Sequence, residues 1–382
     1  MTPKERAEYL IRAPRLIYQG LFKGQYDFVY DRMPMRAQRM PLSRRWNLVK
    51  AGMNLLYRRP HVSNMPIHMQ FELTNYCNLR CPVCPTGAQA VTRRKMAMDP
   101  ALFSQVIDET GPYLLTASLW GWGESLLHPQ LDQILQASLR HRFISLLSTN
   151  GQNLDNERII ETLIKYPPTC LIVAIDGVTD ETNSQFRVGA KLAPALAGVR
   201  RLAEEKQKRS LDLPILQMRF IVMKHNEHEV ENLDNFAREN GFDMLSLRSL
   251  SIIDSNSAEK IHGRYVPDQI AWRAYKYNEG ERERAKSYIC QQPFLFPAMF
   301  ADGTLAACDQ DYNAQLSMGV ISQDNTFGRL WFGKEASRIR RMIRDNPQDF
   351  SFCRNCPYWD RESTGCSVEA RYFRSGINPI VV

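Results

Sequence analysis

Cys77-Asn-Leu-Arg-Cys81-Pro-Val-Cys84 is the stretch around which the rest of this chain can be read. It follows Met69-Gln-Phe-Glu-Leu-Thr74, where apolar and polar residues alternate as in a β-strand. Three thiols therefore sit on one short loop after a strand. Iron–sulfur clusters are held by cysteine thiolates, four per cubane in the ordinary case. Three ligands leave one iron without a protein ligand, and an open position is where chemistry happens, as at catalytic zinc. Zinc and buried structural cysteines are the competing readings. Structural zinc sites usually come as two Cys-x2-Cys-type pairs, whereas here the thiols form a triplet with a first gap of three residues.

The 382 residues are enough for two or three domains with real cores. A hydrophobic content of 44% and a charged content of 24% are those of a soluble globular chain. No apolar run reaches the length of a membrane-spanning helix. The first residues lack the apolar centre of a signal peptide, so a cytoplasmic location is expected. In a reducing compartment nine cysteines point to metal rather than disulfides. The formal charge of +8 is uneven: residues 1–66 hold 13 Lys+Arg and 4 Asp+Glu, a net of +9, which leaves −1 for the remainder. The basic character belongs to the N-terminal segment, and no nucleic-acid partner is expected.

Residues 1–66 read as helices broken at Pro14, Pro34, Pro41 and Pro60. The best of them runs about Ser43 to Arg59, with Trp46, Val49, Met53, Leu56 and Tyr57 at helical spacing and Arg44, Arg45, Lys50, Arg58 and Arg59 beside them. Such a basic extension packs on the following domain with its charges solvated, or contacts an anionic membrane surface or an acidic partner. From 67 to about 250 strand and helix patterns alternate, which argues for parallel βαβ units. The six strand candidates are Met69–Thr74, Leu114–Trp120, Phe143–Thr149, Leu171–Asp176, Ile215–Met223 and Met244–Leu250. Asp99-Pro100 starts a helix with Leu102, Phe103, Val106 and Ile107 inward and Gly111 as its stop. Residues 251–289 are charge-rich and read as a linker with a helix.

Four strand ends carry further signals. They are Gly121-Trp-Gly123-Glu124, Ser148-Thr-Asn150-Gly151, Ala174-Ile-Asp176-Gly177 and Gln185-Phe-Arg187-Val-Gly189. Alone, each is a turn or loop signal. In this order behind Cys-x3-Cys-x2-Cys, they resemble the radical SAM superfamily, enzymes that cleave S-adenosylmethionine (SAM). The resemblance implies a partial (β/α)6 barrel with function at the C-terminal ends of its strands. It implies a [4Fe-4S] cluster on Cys77, Cys81 and Cys84 whose free iron chelates SAM, and a 5'-deoxyadenosyl radical that takes hydrogen from a substrate. It further implies SAM contacts from Gly121, Gly123, Glu124, Ser148, Asn150, Asp176 and Arg187, weaker ones from Asn226 and Glu229, and a flavodoxin- or ferredoxin-type reductant. Ala174 stands where relatives often carry Ser, so a hydroxyl contact is lost there. Glu72, Arg219 and Arg248 point from strands as candidate substrate contacts.

The C-terminal part holds a second set: Cys290, Cys308, Cys353, Cys356 and Cys366. Met299 to Ala306 reads as a hairpin turning at Asp302-Gly303, with Cys308 just beyond it. Cys353-x2-Cys356 places two sulfurs on one metal or cluster, and a zinc ribbon is the alternative. Together these residues resemble the SPASM/twitch extension of radical SAM enzymes. The resemblance implies one auxiliary [4Fe-4S] cluster on Cys290, Cys308, Cys353 and Cys356, closed to substrate and suited to electron transfer. It makes Asp309 a candidate general base and Cys366 an unpaired thiol, a substitute ligand or a hydrogen-atom donor. Cys170 borders an apolar strand and reads as core.

The resulting expectation is a basic extension over 1–66, a barrel over 67–250, a linker over 251–289, a cluster domain over 290–370 and a tail over 371–382. The expected activity is an oxidoreductase that abstracts hydrogen from an alcohol or amine carbon of a small polar substrate, such as an aminocyclitol or sugar. A redox-neutral epimerase or lyase, a peptide-modifying maturase, and a non-catalytic iron–sulfur electron carrier are the alternatives. The lack of a hairpin-rich winged-helix pattern near the N-terminus weighs against a peptide substrate.

Overall fold

The computed structural model describes residues 11, 13–15, 17–251, 263–278, 281–282, 290–354, 356, 358 and 367–381. Its strands in chain order are β1 (Tyr26–Tyr30), β2 (Met33–Ala37), β3 (His68–Phe71), β4 (Thr116–Ser118), β5 (Ile144–Thr149), β6 (Cys170–Ala174), β7 (Ile215–Val222) and β8 (Met244–Ser249). A short pair follows, β9 (Tyr277–Asn278) and β10 (Glu281–Arg282), then β11 (Ala298–Met299), β12 (Thr304–Ala306), β13 (Ser317–Val320), β14 (Ser367–Tyr372) and β15 (Ile380–Val381). Strands β3 to β8 pair in parallel in sequence order, which is the expected six-stranded partial barrel. All six expected strands form. Helices cover their outer face, where Leu147, Leu171, Val173, Leu216, Met218 and Phe220 join one large core. The helix Pro100–Thr110 starts as its sequence dictates: the Asp99 carboxylate accepts from Ala101 N–H at 2.8 Å, with proline in the first turn.

The barrel strands belong to a larger sheet of ten, in the order β13-β12-β11-β3-β4-β5-β6-β7-β8-β14. The expected hairpin forms as β11 and β12, with Gly303 at φ +84 in its turn. Strand β11 runs parallel to β3, with Ala298 opposite Gln70 and Met299 opposite Phe71. At the other edge β14 runs antiparallel to β8. Residues 371–381, expected as a tail, are thus partly built into sheets: Arg371 and Tyr372 complete β14, and β15 pairs with β2.

The N-terminal extension departs from the helical expectation in two ways. First, residues 26–37 form an antiparallel hairpin. Its turn residues Asp31 and Arg32 take φ of 53 and 64, a left-handed turn usually marked by Asn-Gly, and Pro34 sits inside β2. The turn lacked its usual residues, so the proline read as a helix breaker. This hairpin and β15 fill the barrel's inner face from below. Met33, Met35, Ile377 and Ile380 pack on Ile144, Leu146, Cys170, Ile172, Ile215 and Met244. Cys170 is core, as expected.

Second, the helix Leu42–Tyr57 forms where expected but turns its polar side inward. Arg44, Asn47, Ala51 and Asn54 are buried, while Trp46, Met53 and Tyr57 are half exposed or more. Most of the buried polar groups are matched, Arg44 Nε and Asn54 Oδ1 excepted. The Arg44 guanidinium donates to Gly111 O at 2.9 Å, the Asn47 amide donates to Met65 O at 3.0 Å and accepts from Met65 N–H at 2.7 Å, and Asn54 Nδ2 donates to Asn64 Oδ1 at 3.1 Å. Satisfied hydrogen bonds permit this burial. The apolar stripe faces outward.

Candidate cofactor and substrate site

The cysteine loop leaves β3 in a tight coil. Cys84 N–H donates to Cys81 O at 3.2 Å and Ala88 N–H to Cys84 O at 2.8 Å. A Cβ at Gly87 would overlap the Cys81 carbonyl, so glycine is required there; the sequence carried no signal for it. Arg80 N–H donates to Val188 O at 3.0 Å, tying the loop to the segment after β6. Leu79 N–H and the Asn150 amide lie 3.4 and 3.6 Å from Cys77 Sγ. Burial raises the thiol pKa values of Cys77 and Cys81 to about 11 and about 12. Such thiols ionise when a metal ligates them.

The other strand ends meet this loop. At Gly121 a Cβ would come within 2.6 Å of Glu72 Cβ, and at Gly123 it would overlap the Thr74 carbonyl. Glycine is required at both because this loop packs directly on Glu72 and on Thr74. Glu124 is buried and ties the loops together: it accepts from Thr149 Oγ1 at 2.7 Å, Asn150 N–H at 2.8 Å and Leu126 N–H at 3.0 Å. Burial raises its pKa. Asn150 reaches the cysteine loop through Asn78 Oδ1 at 2.8 Å. Ser148 lies on the last turn of β5, half-buried. Arg187 Nε lies 2.7 Å from Asp176 Oδ2, with both side chains nearly inaccessible, and its charge is felt at Cys81. Ala174 is buried and supplies no hydroxyl. Asn226 and Glu229 act as struts: Asn226 donates to Asp176 O at 2.9 Å and Glu229 accepts from Val178 N–H at 3.0 Å.

Glu72 points not to an open lumen but to the domain junction. Its carboxylate pairs with Arg93 at 2.7 Å and accepts from Ala301 N–H at 3.3 Å, beyond β11. Arg93 also donates to Tyr312 O at 2.8 Å and stacks 4.0 Å from the Phe300 ring centroid. Arg219 and Arg248 do face the lumen. Both meet Asp31 at the tip of the β1–β2 hairpin, a residue that no sequence signal connected to the site.

Beyond β12 the second cysteine set converges. Cys290, Cys308, Cys353 and Cys356 line one cavity with Gln310, Phe352 and Tyr358. Burial pushes the Cys290 thiol to about 12 and raises Cys308 and Cys353 as well, and these three feel one another's charge or that of Cys356. Backbone N–H groups of Gln310 and Tyr358 lie 3.4 Å from Cys308 Sγ and Cys356 Sγ. Asp309 turns its carboxylate into this nest, where it accepts from Gln310 Nε2 at 2.8 Å and Tyr358 OH at 3.1 Å. Its backbone carbonyl accepts from the Trp122 indole at 2.8 Å. Trp122, from the glycine loop after β4, thereby links the two sites. Cys366 lies outside the described residues. The donor chemistry suits iron–sulfur clusters: soft thiols, partly or fully buried, with backbone N–H groups aimed at sulfur.

Comparison with known proteins agrees with this geometry. Residues 71–237 match the radical SAM superfamily, and residues 290–357 match SPASM, an iron–sulfur cluster-binding domain. The chain is 22% identical to the mycofactocin maturase MftC of Mycobacterium ulcerans over 84% of this chain and 87% of that one. It is 24% identical to the PqqA peptide cyclase of Gluconobacter oxydans over 80% and 86% of the two chains. Streptococcus suis SuiB bound to its precursor peptide SuiA shares the fold, with a TM-score of 0.56 at 14% identity over 88% of this chain and 80% of that one. The two domains imply SAM, a [4Fe-4S] cluster and auxiliary iron–sulfur ligation as cofactors. This chain is a radical SAM enzyme with a C-terminal SPASM domain.

Proposed function

We propose that this enzyme abstracts a hydrogen atom from an alcohol or amine carbon of a small polar substrate in the barrel lumen, and that the electron released leaves through the auxiliary centre. The observation that carries this reading is the cysteine nest of the SPASM domain. Cys290, Cys308, Cys353 and Cys356 line one buried cavity beside the glycine loop of the barrel, so four protein sulfurs would close a cluster to substrate. A closed cluster transfers electrons and binds nothing. SAM and its cluster, when bound, supply the hydrogen-abstracting radical.

The chain's own residues divide the work. Cys77, Cys81 and Cys84 would hold the first cluster, with Asn150 and Leu79 N–H orienting Cys77. Gly121 and Gly123 let their loop pack on Glu72 and Thr74, so that its backbone would border SAM, and Arg187 would hold the SAM carboxylate while Asp176 fixes the guanidinium. Asp309, expected as the base, is engaged by Tyr358 and Gln310. We assign it to fixing the Cys308 loop, and the proton that the substrate loses with the electron passes to water.

A peptide substrate is the second reading. It is favoured by similarity over four-fifths of each chain to a peptide cyclase. One assay separates the two. Reconstituted enzyme, SAM and an external one-electron reductant are incubated anaerobically with small-metabolite fractions or short-peptide fractions. The fraction that stimulates 5'-deoxyadenosine release names the class, and a product lighter by two hydrogens supports oxidation. A product of unchanged mass would sink the oxidative reading. Cys366→Ala then tests the epimerase alternative, in which loss of the epimer with 5'-deoxyadenosine still formed marks Cys366 as donor.

Among the described residues no helix is long and apolar enough to cross a membrane. We also infer that the N-terminal extension rests on an anionic bilayer. Phe22, Trp46, Met53 and Tyr57 are exposed on a segment whose net charge is +9. Co-sedimentation with anionic vesicles should fall several-fold in Phe22→Gln/Trp46→Gln. Equal pelleting of variant and parent would dismiss the contact.

A further inference from the structure

The floor of the lumen holds a charge arrangement that the proposed chemistry does not use. Arg219 projects from β7 and Arg248 from β8, and both meet one carboxylate, Asp31. Arg248 Nη1 lies 2.8 Å from Asp31 Oδ2, whereas Arg219 Nη2 lies 3.6 Å from the same oxygen, beyond hydrogen-bond reach. Arg219 is 8% exposed, and its Nε and Nη2 have no hydrogen-bond partner. Its guanidinium stands 5.5 Å from the Trp120 ring centroid. Two cations, Arg219 and Arg248, thus meet at one oxygen of Asp31, and only Arg248 is within hydrogen-bond reach of it. A buried guanidinium with unmatched donors is costly to keep, and a site of this kind is completed by an anion.

Its position fits a ligand in the chamber. Arg219 is in register with Ala174, two residues before Asp176, and its carbonyl accepts from Ile175 N–H at 3.0 Å. The group therefore lies at the level of the strand ends, just below the Arg187–Asp176 pair and the cysteine loop. The SAM carboxylate already has Arg187, whose charge reaches Cys81. The geometry points to a substrate-anchoring site for a monoanion, in which Arg219 and Arg248 hold a carboxylate of the substrate against Trp120. The unpartnered Nε and Nη2 of Arg219 suit the two oxygens of one planar carboxylate, held bidentately. This rests on the reading of the lumen as the substrate chamber, and it narrows the substrate class to a polar molecule or peptide that carries a carboxylate. It also gives the hairpin a second part, because Asp31 holds Arg248 and competes with the ligand for Arg219.

The test uses full-length, anaerobically reconstituted protein saturated with SAM. Binding of acetate, inorganic phosphate and a capped glutamate-containing peptide is measured by ligand-observed NMR. Acetate should bind, and Arg219→Met should weaken it roughly ten- to a hundred-fold, the range for losing a hydrogen bond to a charged group. Arg219→Lys should recover part of the loss. Asp31→Asn should tighten acetate, because it removes the competing carboxylate. Displacement of acetate by the peptide would extend the site to peptide carboxylates, whereas acetate binding without displacement restricts it to small acids; both support the site. No acetate binding, equal binding in parent and Arg219→Met, or phosphate held more tightly than acetate would overturn the proposal. Asp31→Asn covers the case in which Arg219→Met fails to fold, since weaker acetate binding there also overturns it. SAM cleavage by the parent is scored separately. A parent that cleaves SAM but binds no anion refutes this site and leaves the radical reading standing, while failure to cleave SAM refutes that reading itself.

Discussion

The buried pair between Glu72 and Arg93 offers the sharpest energetic test. Glu72 directly follows the first barrel strand, and its side chain is 1% exposed against 7% for that of Arg93, at 2.7 Å. Removing one partner of such a pair typically costs about 3–5 kcal/mol, because it strands a buried charge. Replacing both with apolar residues of similar volume is often close to neutral. Arg93 also donates to Tyr312 O and stacks on Phe300, and a desolvated cation–π contact adds up to about 2 kcal/mol. Arg93→Met and Glu72→Met should therefore each cost about 3–5 kcal/mol, while the double variant should cost only about 1–3 kcal/mol. The readout is local, because a two-domain protein does not unfold in one step. Hydrogen exchange of the Glu72 and Ala301 amides reports opening of the junction, since Glu72 N–H donates to Met299 O at 2.9 Å and Ala301 N–H to the Glu72 carboxylate. Each single variant should speed exchange by about two to four orders of magnitude, at roughly 1.4 kcal/mol per tenfold. Single effects that add within about 0.5 kcal/mol in the double variant would show that the pair does not couple the domains, and would refute the reasoning.

Three further outcomes follow from the same geometry. The parent should contain about eight irons, and Cys77/Cys81/Cys84→Ala about four, if each cysteine set holds one cubane; iron and sulfide analysis with Mössbauer spectra decides it. Gly123→Ala forces a Cβ onto the Thr74 carbonyl, and overpacking of this kind should weaken SAM binding by about 1–3 kcal/mol in equilibrium dialysis. His68 is partly buried beside Thr116, and desolvation lowers its pKa from 6.5 to about 4. Its folded-state pKa lies below the unfolded one, so its contribution is complete above about pH 6.5 and is lost as pH falls towards about 4, at most about 3 kcal/mol. Thermal scans of His68→Gln should show a flatter decline between neutral pH and about pH 5 than the parent does.

The six barrel strands were legible because strands buried on both faces read as apolar runs, as Leu171–Val173 does, or as alternation, as Leu216–Val222 does with Gln217 and Arg219 on one face. The cysteine loop was legible because thiol spacing is a covalent fact. The hairpin at 26–37 was not, because its turn is Asp31-Arg32 where pattern reading looks for Asn-Gly, and because Pro34 argues against a strand. The inward face of Leu42–Tyr57 was not legible either. Periodicity places Trp46 and Met53 on one side, but the partners of Asn47 and Asn54 are backbone and side-chain groups at 64 and 65 that no helical wheel contains. The lumen contacts divide the same way. Arg219 and Arg248 were readable as inward-pointing from strand alternation, whereas Asp31 reaches them from about two hundred residues away in sequence and could be found only in three dimensions.

The junction of β11 with β3 has a consequence for anyone exchanging parts between relatives. The cluster domain is not strung on a tether; it shares a ladder with the barrel, with Ala298 opposite Gln70 and Met299 opposite Phe71. A one-residue slip in such a ladder turns every side chain to the opposite face. A chimera that imports residues 290–357 from another enzyme must therefore keep this two-residue alignment, or the incoming cysteines will be presented on the wrong side of the sheet. The separation between the two cysteine sets is thus a matter of strand registration, inherited with the sequence, and not an adjustable distance that a hinge could shorten during turnover.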